Sequence, residues 1–198
     1  MSQAALTPVT LAGQYVRLEP LTIEHVAALA EVGLDPDLWR WIPFPVADRA
    51  DMAAYVQTAL DSQAQGSALP FVTIEQASGQ VIGSTRYGNI EPAHRRLEIG
   101  WTWVATAFQR TAANTEAKLL LLAHAFDTLG AIRVELKTDA LNQRSRAAIR
   151  RIGGVEEGTF RRHLITASGR VRDTVYFSIL DHEWPAVRAR LTAMLALP

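Results

Sequence analysis

The sequence predicts one α/β domain whose centre is a strand, a helix and a second strand in succession. The first strand, from Leu97 to Trp103, alternates apolar and polar residues with the period of two that is typical of a pleated strand. The helix that follows, up to Phe126, is apolar around most of its circumference and is therefore expected to be buried. A second strand spans 132–138. Because a helical crossover joins parallel strands, we expect these two strands to be parallel neighbours.

The alternation in the first strand assigns its side chains to two faces of the sheet. One face is expected to hold the apolar members, which are Leu97, Ile99, Trp101 and Trp103. The opposite face is expected to hold Glu98, Gly100 and Thr102. This pattern places one carboxylate opposite a row of apolar side chains.

The start of the central helix is a candidate anion site. Thr111, Asn114 or Thr115 could each cap the helix, and Glu116 adds negative charge near its first turn. A strand that leads into a helix start directs unpaired backbone N–H groups and the positive end of the helix dipole toward one point, which suits a phosphate or pyrophosphate. An ordinary capped helix of an α/β domain is the alternative interpretation.

The composition excludes several kinds of site. The 198 residues suffice for a single well-buried domain, 1–198, and its 20 basic and 20 acidic side chains cancel, so no net field favours nucleic acid or a membrane. There is no cysteine, and the five histidines have no ligand spacing, so we expect no metal. No leader pattern is present, and no apolar run approaches the ~18 residues of a membrane span, so we expect a cytoplasmic protein.

The remaining elements flank this centre. Further strands are predicted at 15–20, 71–75, 81–87, 163–166 and 171–180, and residues 1–12 are expected to be frayed. Further helices are predicted at 22–33, from 48 or 51 to before 66, at 142–151 and after 181. The segment 35–45 contains three prolines and three aromatic residues, which predicts a loop. This loop either covers the core or forms a wall of a substrate pocket.

Four motifs occur in a familiar order along the chain. They are Glu98-Ile99-Gly100-Trp101, the run QRTAANTEA at 109–117, Asn142-Gln143-Arg144-Ser145, and GGVEEG at 153–158 with Arg161. With the order β-α-α-β-β-β-α-β-α-β-β, the chain resembles the GNAT acyl-CoA N-acyltransferase superfamily, and within it the RimJ/RimL type. The resemblance extends from about Gly13 to about Leu191. It implies a mixed, mostly antiparallel sheet with a central parallel strand pair, flanked by helices.

The resemblance implies acetyl-CoA as the donor, bound where the two central strands separate. Backbone groups near Trp103 and Val104 would hold the pantetheine arm and polarise the thioester carbonyl, and Asn142 would bind the same arm. The pyrophosphate would be held by the loop and helix start, with the side chains of the first two residues nearby. The residues of this loop and helix start are Gln109, Arg110, Thr111, Ala112, Ala113, Asn114 and Thr115.

The chain departs from the family pattern at three positions. Ala112 and Asn114 occupy the last two small-residue positions of the family's phosphate loop, Gln/Arg-x-x-Gly-x-Gly/Ala, and Asn114 could compete with the ligand as an N-cap. Ile149 stands where many members have a tyrosine thought to protonate the departing thiolate. Ser145, one helical turn earlier, is the residue that RimL-like members offer instead. A helix serine bonded to its own backbone is the alternative.

The implied reaction is direct attack by an amine, which must lose a proton because a free amine is mostly protonated at neutral pH. Glu98 is the candidate base, acting directly or through water. The alternative is a structural carboxylate paired with Arg86 or Arg96, because ion-pair networks resemble catalytic carboxylates.

The acceptor is expected to be a protein N-terminus or a small-molecule amine. The side chains expected at the acceptor end are Trp39, Trp41, Phe44 and Arg86. A catalytically silent acyl-CoA-binding or dimerisation module is the alternative function, and a nucleotide-binding domain is disfavoured because the chain lacks the phosphate-loop motifs of such domains. The hairpin and the last helix could support a homodimer, and the sequence leaves the oligomeric state open.

Overall fold

The computed structural model describes residues 6–196. Its strands are β1 (Leu11–Ala12), β2 (Val16–Pro20), β3 (Leu69–Glu75), β4 (Val81–Glu91), β5 (Arg96–Val104), β6 (Arg133–Asp139), β7 (Val155–Ile165) and β8 (Val171–Leu180). Its helices are α1 (Val26–Gly33), α2 (Pro36–Trp39), α3 (Arg49–Ala64), α4 (Ala112–Ala123), α5 (Gln143–Arg151) and α6 (Trp184–Leu195). A π-helical turn, His124–Thr128, continues α4.

The strands of residues 6–196 form one sheet in the order β1-β2-β3-β4-β5-β6-β8-β7. Neighbours are antiparallel except β5 and β6, which are parallel and are joined through α4. The predicted mixed sheet with a central parallel pair is therefore confirmed. The parallel pairing follows from the order of the elements, because the helix α4 carries the chain back to the end of the sheet at which β5 begins.

Helices cover both faces of this sheet. On one face α4, α5 and α6 pack around a core that includes Leu97 and Leu121. On the other face α1 and α3 pack around Leu29 and Val56. The central helix α4 is buried, as its apolar circumference predicts, and its N-terminus lies at the end of β5.

Three elements differ from the sequence prediction. Leu11–Ala12 forms a short strand that pairs with β2, within the segment 1–12 that is predicted to be frayed. A two-residue strand has no periodicity that the sequence could reveal. The part of this prediction that concerns 1–5 lies outside the described residues. Pro36–Trp39 forms one helical turn inside the predicted loop, because the Asp35 carboxylate caps it and Pro36 occupies its first turn. The strand β7 begins well before the predicted 163–166, because it is an edge strand whose side chains are mostly exposed and lack alternation.

A β-bulge interrupts β5 where it passes β4. Arg86 pairs with Gly100 and Ser84 pairs with Trp103, so β5 has one residue more than β4 in this interval. Trp101 lies within the bulge and has a left-handed φ of 50°. The extra residue reverses the alternation of side chains beyond this point.

The bulge makes part of the predicted face assignment wrong. The Trp101 ring lies over Gly88, the residue that pairs with Glu98, so Trp101 shares the face of Glu98. Trp103 joins the core beneath α1 and α3, whereas Leu97 belongs to the core beneath α4. A strict period of two cannot reveal such a bulge, because the inserted residue looks like any other strand residue.

Within residues 6–196 no helix is both long and apolar enough to cross a membrane. In the same part of the chain, no group of three or more His, Asp or Glu side chains is placed to hold a metal ion.

Candidate functional site

A cleft opens where β5 and β6 separate. Their parallel pairing ends at Glu98 and Glu135, and beyond these residues the strands diverge around a cavity of about 1420 Å³. The walls of this β5–β6 cleft come from the second half of β5, the end of β6, the start of α4, the helix α5, the β7–β8 hairpin and the segment around α2. Backbone groups on the facing edges of the diverging strands have no sheet partner across the gap, so they can bind a ligand.

The N-terminus of α4 forms one end of the cleft. The Thr111 hydroxyl caps this helix by accepting a hydrogen bond from the Ala113 N–H at 3.2 Å, and it donates to the Phe108 carbonyl at 2.8 Å. Asn114 is therefore not the cap, and it lines the cleft from the first turn. The Ala113 N–H is taken by the cap, whereas those of Ala112 and Asn114 have no partner within the helix.

Three arginines line the cleft near this helix start, namely Arg110, Arg144 and Arg151. Arg144 donates to the Gln109 side-chain oxygen, and Arg151 donates to the Thr115 hydroxyl at 3.1 Å. Thr115 itself is buried and lies outside the cleft lining. Positive charge thus surrounds the free N–H groups, as an anionic ligand requires.

The loop between β5 and α4 is tied to the strand by Gln109. Its Nε2 donates to the Val104 carbonyl at 2.9 Å, so this side chain shapes the loop. Trp103 and Val104 both line the cleft, and the Trp103 ring is buried under α1 and α3. The end of β5 therefore presents its backbone to the cleft.

Glu98 lies at the inner end of the cleft and is 7% exposed. Its Oε2 accepts hydrogen bonds from Lys137 Nζ at 2.8 Å and Asn89 Nδ2 at 2.6 Å. Its Oε1 accepts none from residues 6–196 and faces Gly100, where a Cβ atom would lie only 2.9 Å away. One carboxylate oxygen is therefore fixed, and the other can accept a proton.

Glu98 does form an ion pair, as the alternative interpretation expects, but the cation is Lys137 of β6 and not Arg86 or Arg96. Lys137 Nζ also lies 3.3 Å from Glu135. Burial alone would lower the pKa of Lys137, but the carboxylates, Glu98 above all, raise it above its ordinary value. Arg96 pairs with Glu135 instead, at 3.3 Å. Lys137 lies on the neighbouring parallel strand but far from Glu98 in sequence, so the sequence alone does not reveal this ion pair.

The helix α5 contributes two of the predicted site residues. Asn142 caps it by accepting a hydrogen bond from the Ser145 N–H at 3.0 Å, so its amide NH₂ remains for a ligand. The Ser145 side chain lines the cleft, and its hydroxyl makes no hydrogen bond within the described residues. Ile149 lines the same wall one turn further on and supplies no polar group.

A buried lysine that the sequence analysis did not identify lines the cleft from α4. Lys118 is 6% exposed, and its Nζ donates to the Thr102 hydroxyl at 2.7 Å, which in turn lies 2.7 Å from the Thr85 hydroxyl. No carboxylate within residues 6–196 forms an ion pair with it. Burial lowers the pKa of Lys118 from its ordinary 10.5 to about 7.

This shift makes the stability of the fold depend on pH. Between pH about 7 and 10.5 the unfolded chain holds the Lys118 proton and the folded chain has lost it, so unfolding becomes less favourable as pH rises through this window. Between pH 6.5 and pH 10 we expect the free energy of unfolding to rise in the wild type by roughly 3–5 kcal/mol more than in a Lys118→Met variant. Urea unfolding at pH 6.5 and 10 measures the difference, and parallel curves for the two proteins would contradict it.

The sequence model of a protein family described as "Acetyltransferase (GNAT) domain" matches residues 16–155 of this chain. The chain belongs to the GNAT acetyltransferase family. A relative from Bacillus subtilis (strain 168), named "Putative ribosomal N-acetyltransferase YdaF", is 36% identical over 106 residues, which are 54% of this chain and 57% of the relative. The chain thus spans little more than half the length of this curated relative.

Solved GNAT structures match nearly the whole chain. A GCN5-related N-acetyltransferase from Brucella melitensis is 36% identical with a TM-score of 0.87, over 96% of this chain and 86% of that one. Mycobacterium smegmatis RimJ, solved in complex with CoA-disulfide, is 26% identical with a TM-score of 0.82, over 96% of both chains. The resemblance to the RimJ/RimL type is confirmed.

The predicted acceptor residues of this GNAT domain are only partly brought together. Trp41 lines the cleft. Trp39 is buried in the core, where its Nε1 donates to the Gly33 carbonyl at 2.7 Å. Phe44 is partly exposed, packs 6.3 Å from the Tyr55 ring and lies outside the cleft lining. The segment 35–45 therefore covers core with one tryptophan and lines the cleft with another.

Arg86 is likewise absent from the cleft lining. It is 4% exposed, and its guanidinium lies 5.0 Å from the centres of both the Tyr55 and the Trp101 rings. This arrangement places a cation beneath the bulge tryptophan. Arg86 is thus in position to support Trp101 from outside the cleft lining.

Sequence reasoning missed several polar residues of the GNAT cleft, among them Asn89, Lys118 and Lys137. A signal for the lysines was available, because they are the two lysines among 20 basic residues and Lys118 precedes four consecutive leucines. Asn89 had no such signal. It reaches Glu98 from β4 with a φ of 46°, a conformation that its sequence neighbours do not indicate.

Proposed function

We propose that this GNAT protein transfers the acetyl group of acetyl-CoA to a primary amine by direct attack on the thioester. The main support is that one cleft combines an anion-binding helix start with a carboxylate, Glu98, whose Oε1 is free. Family membership supports acyl transfer, and a relative solved with CoA-disulfide supports CoA as the carrier.

The helix start fits the phosphates of CoA. The N–H groups of Ala112 and Asn114 would bind the pyrophosphate, since they have no partner within the helix and lie at its positive end. The guanidinium groups of Arg110, Arg144 and Arg151 would balance the remaining charge. The replacement of the family's small residues leaves this end intact, because Thr111 performs the capping that Asn114 could have performed.

The diverging edge of β5 fits the pantetheine arm. Backbone groups of Trp103 and Val104 and the amide of Asn142 would bind it. A backbone N–H directed at the thioester oxygen would contribute about 10²–10³ to the rate, because it is in place before charge develops there. Ser145 would donate a hydrogen bond at the sulfur end.

The carboxylate at the inner end fits the amine. Glu98 Oε1 would take the amine proton directly or through a water molecule, while Lys137 and Asn89 hold Oε2. The new N–C bond forms as the C–S bond breaks, and the acetyl group moves from sulfur to nitrogen. Orientation of the two reactants in the cleft would supply a large part of the acceleration.

CoA binding is tested with a charge placed at the helix start. In Thr111→Asp the cap is retained because Asp is as good an N-cap as Thr, but its carboxylate repels phosphate. We expect acetyl-CoA to bind the wild type with micromolar affinity at one site per chain and Thr111→Asp at least about tenfold more weakly, which is 1.4 kcal/mol. Thr111→Asn, an uncharged cap, is the matched control and should bind as the wild type does. Calorimetric titration with acetyl-CoA and with CoA measures all three.

The outcomes separate the fold from the activity. If the wild type does not bind acetyl-CoA up to millimolar concentration, the enzyme proposal fails. If Thr111→Asp binds as tightly as Thr111→Asn, the phosphates lie elsewhere and the helix start is an ordinary capped end.

The acceptor is proposed to be a protein N-terminus or a small-molecule amine. A curated relative is named as a ribosomal N-acetyltransferase, which favours a protein N-terminus. Because Ile149 lacks the hydroxyl that many members use, a silent acyl-CoA-binding or dimerisation module is the second candidate. Turnover measured with N-terminal peptides, polyamines and metabolites that carry a primary amine distinguishes an active acetyltransferase from a silent module. Mass in solution tests the homodimer.

A further inference from the structure

Lys118 is a buried cation without an anionic partner. Two buried carboxylates in the described part of the chain have partners: Glu98 has Lys137, and Glu116 has three backbone N–H groups. Arg86, which is also buried without a carboxylate partner, lies against the rings of Tyr55 and Trp101. Lys118 has one neutral acceptor, the Thr102 hydroxyl, for a group with three donors. Burial makes the charged form costly, so Lys118 releases its proton more readily than an exposed lysine does.

The position of Lys118 follows from two elements. Asn114 and Lys118 are spaced i, i+4 on α4, so they share a face, and both line the cleft about 6 Å apart along the helix axis. Thr102, which accepts from Lys118, follows the bulge in β5, beyond the point where β5 and β6 separate. Lys118 thus lies inward of the phosphate end, at the level of the bulge.

Lys118 and Glu98 approach the cleft from opposite faces of β5. Glu98 shares the face of Trp101, whereas Thr102 contacts α4 through Lys118. A group that accepts a proton and a group that can donate one are thus on the two sides of the strand where the chemistry would occur.

Among the described residues, no charged group on the neighbouring elements pairs with Lys118, and three arginines, Arg110, Arg144 and Arg151, line the same cleft. On α4, Glu116 binds the backbone before β2, and on β5 Glu98 binds Lys137. On α5, Arg151 binds the Thr115 hydroxyl. Burial alone therefore sets the proton affinity of Lys118, and a negative charge that develops in the cleft would raise it.

We propose that the Lys118 ammonium is the acid that protonates the departing CoA thiolate. The inference rests on the proposed acetyl transfer. As the amine nitrogen bonds to the carbonyl carbon, the C–S bond breaks and its electron pair stays on sulfur. The Lys118 proton then passes to sulfur, giving the CoA thiol and a neutral lysine. The amine proton goes to Glu98, and exchange with solvent restores both side chains.

Lys118 suits this task better than its neighbours. Ile149, at the position of the family tyrosine, has no proton to give, and Ser145 can offer only a neutral hydroxyl. A general acid is most effective when its pKa is close to the working pH, and the pKa of Lys118, about 7, meets this condition. A thiol has an ordinary pKa near 8.5, so proton transfer from Lys118 to a thiolate is favourable.

The test uses the fact that the chain contains two lysines, Lys118 and Lys137. Protein labelled with [ε-13C]lysine gives two side-chain signals, which a Lys118→Met variant assigns. We expect the Lys118 signal to titrate about one unit or more higher with CoA bound than with desulfo-CoA, because only CoA carries the sulfur. Equal titration with both ligands would overturn the proposal. Failure of CoA itself to bind would overturn the proposed function, and this inference with it.

Kinetics give the second readout. Lys118→Met should lower kcat at least about tenfold while the KM for acetyl-CoA stays within about threefold. Lys118→Arg keeps the charge but cannot release its proton, so it should not restore kcat. Ser145→Ala is the matched control and should lose less. A raised KM with unchanged kcat, or full rescue by Arg, would make Lys118 a binding group and contradict the proposal.

Discussion

Glu98→Gln is expected to lower kcat about 10²–10³-fold near neutral pH and to leave the KM for acetyl-CoA almost unchanged. The amide keeps the shape of the side chain and can still meet Asn89, but it cannot take the amine proton at the oxygen that faces Gly100. The loss should shrink as pH rises, because more of the amine is then already uncharged. The measurement is a pH–rate profile for both proteins with one acceptor, followed through release of the CoA thiol, which no cysteine of this chain obscures.

Glu135→Gln is the matched control for this experiment. Glu135 is also buried, lines the cleft and contacts Lys137, but its carboxylate is engaged by Arg96 and Arg133. It should change kcat less than about tenfold. If the two variants lose activity equally, or if the Glu98→Gln profile has the shape of the wild type, Glu98 serves the ion pair with Lys137 and another group accepts the proton.

The central strand–helix–strand unit was predictable because its signals are local. Alternation in β5 and the apolar run of α4 each extend over consecutive residues, and the helix start is marked by capping residues such as Thr111. The parallel pairing of β5 with β6 then follows from crossover geometry. The proposed anion end of the candidate site lies within this unit, which is why it could be proposed from the sequence.

The inner end of the site depends on pairings between distant segments. Lys137 reaches Glu98 because β6 lies beside β5, and Asn89 reaches it from β4. Neither contact has a local signal, so the sequence suggests an arginine nearer to Glu98 as the partner. The bulge at Trp101 is also invisible to a period-of-two analysis, yet it moves Trp101 to the face of Glu98.

In the segment around α2, the sequence alone likewise does not show which aromatic residue lines the cleft. Trp39 and Trp41 are two positions apart in a proline-rich stretch, and both look equally suited to a pocket wall. Trp39 lies in the helical turn capped by Asp35 and packs into the core, whereas Trp41 follows this turn and lines the cleft. Composition can predict that such a segment lies over apolar surface, but only the turn geometry separates the residue that packs from the residue that can contact a ligand.

Glu116→Ala is expected to lower the free energy of unfolding by roughly 3–5 kcal/mol. The Glu116 carboxylate is buried and accepts three hydrogen bonds, from the N–H groups of Gln14 at 2.7 Å, Tyr15 at 2.6 Å and Val16 at 2.7 Å. Alanine would leave these three donors without a partner and would open a cavity between α4 and β2. Urea unfolding followed by circular dichroism measures the loss as a lower midpoint with an unchanged m-value.

Two further variants isolate the cause of this loss. Gly13→Ala leaves Glu116 in place but puts a methyl group into the space of its carboxylate, so it should also destabilise the protein. Glu156→Ala removes a carboxylate that pairs with Arg146 and Arg150 at the surface, and it should cost less than about 1 kcal/mol. If Glu116→Ala proves no more harmful than Glu156→Ala, the β2 N–H groups find other partners. We expect this ordering because three donors left without their buried acceptor cost more than surface ion pairs contribute.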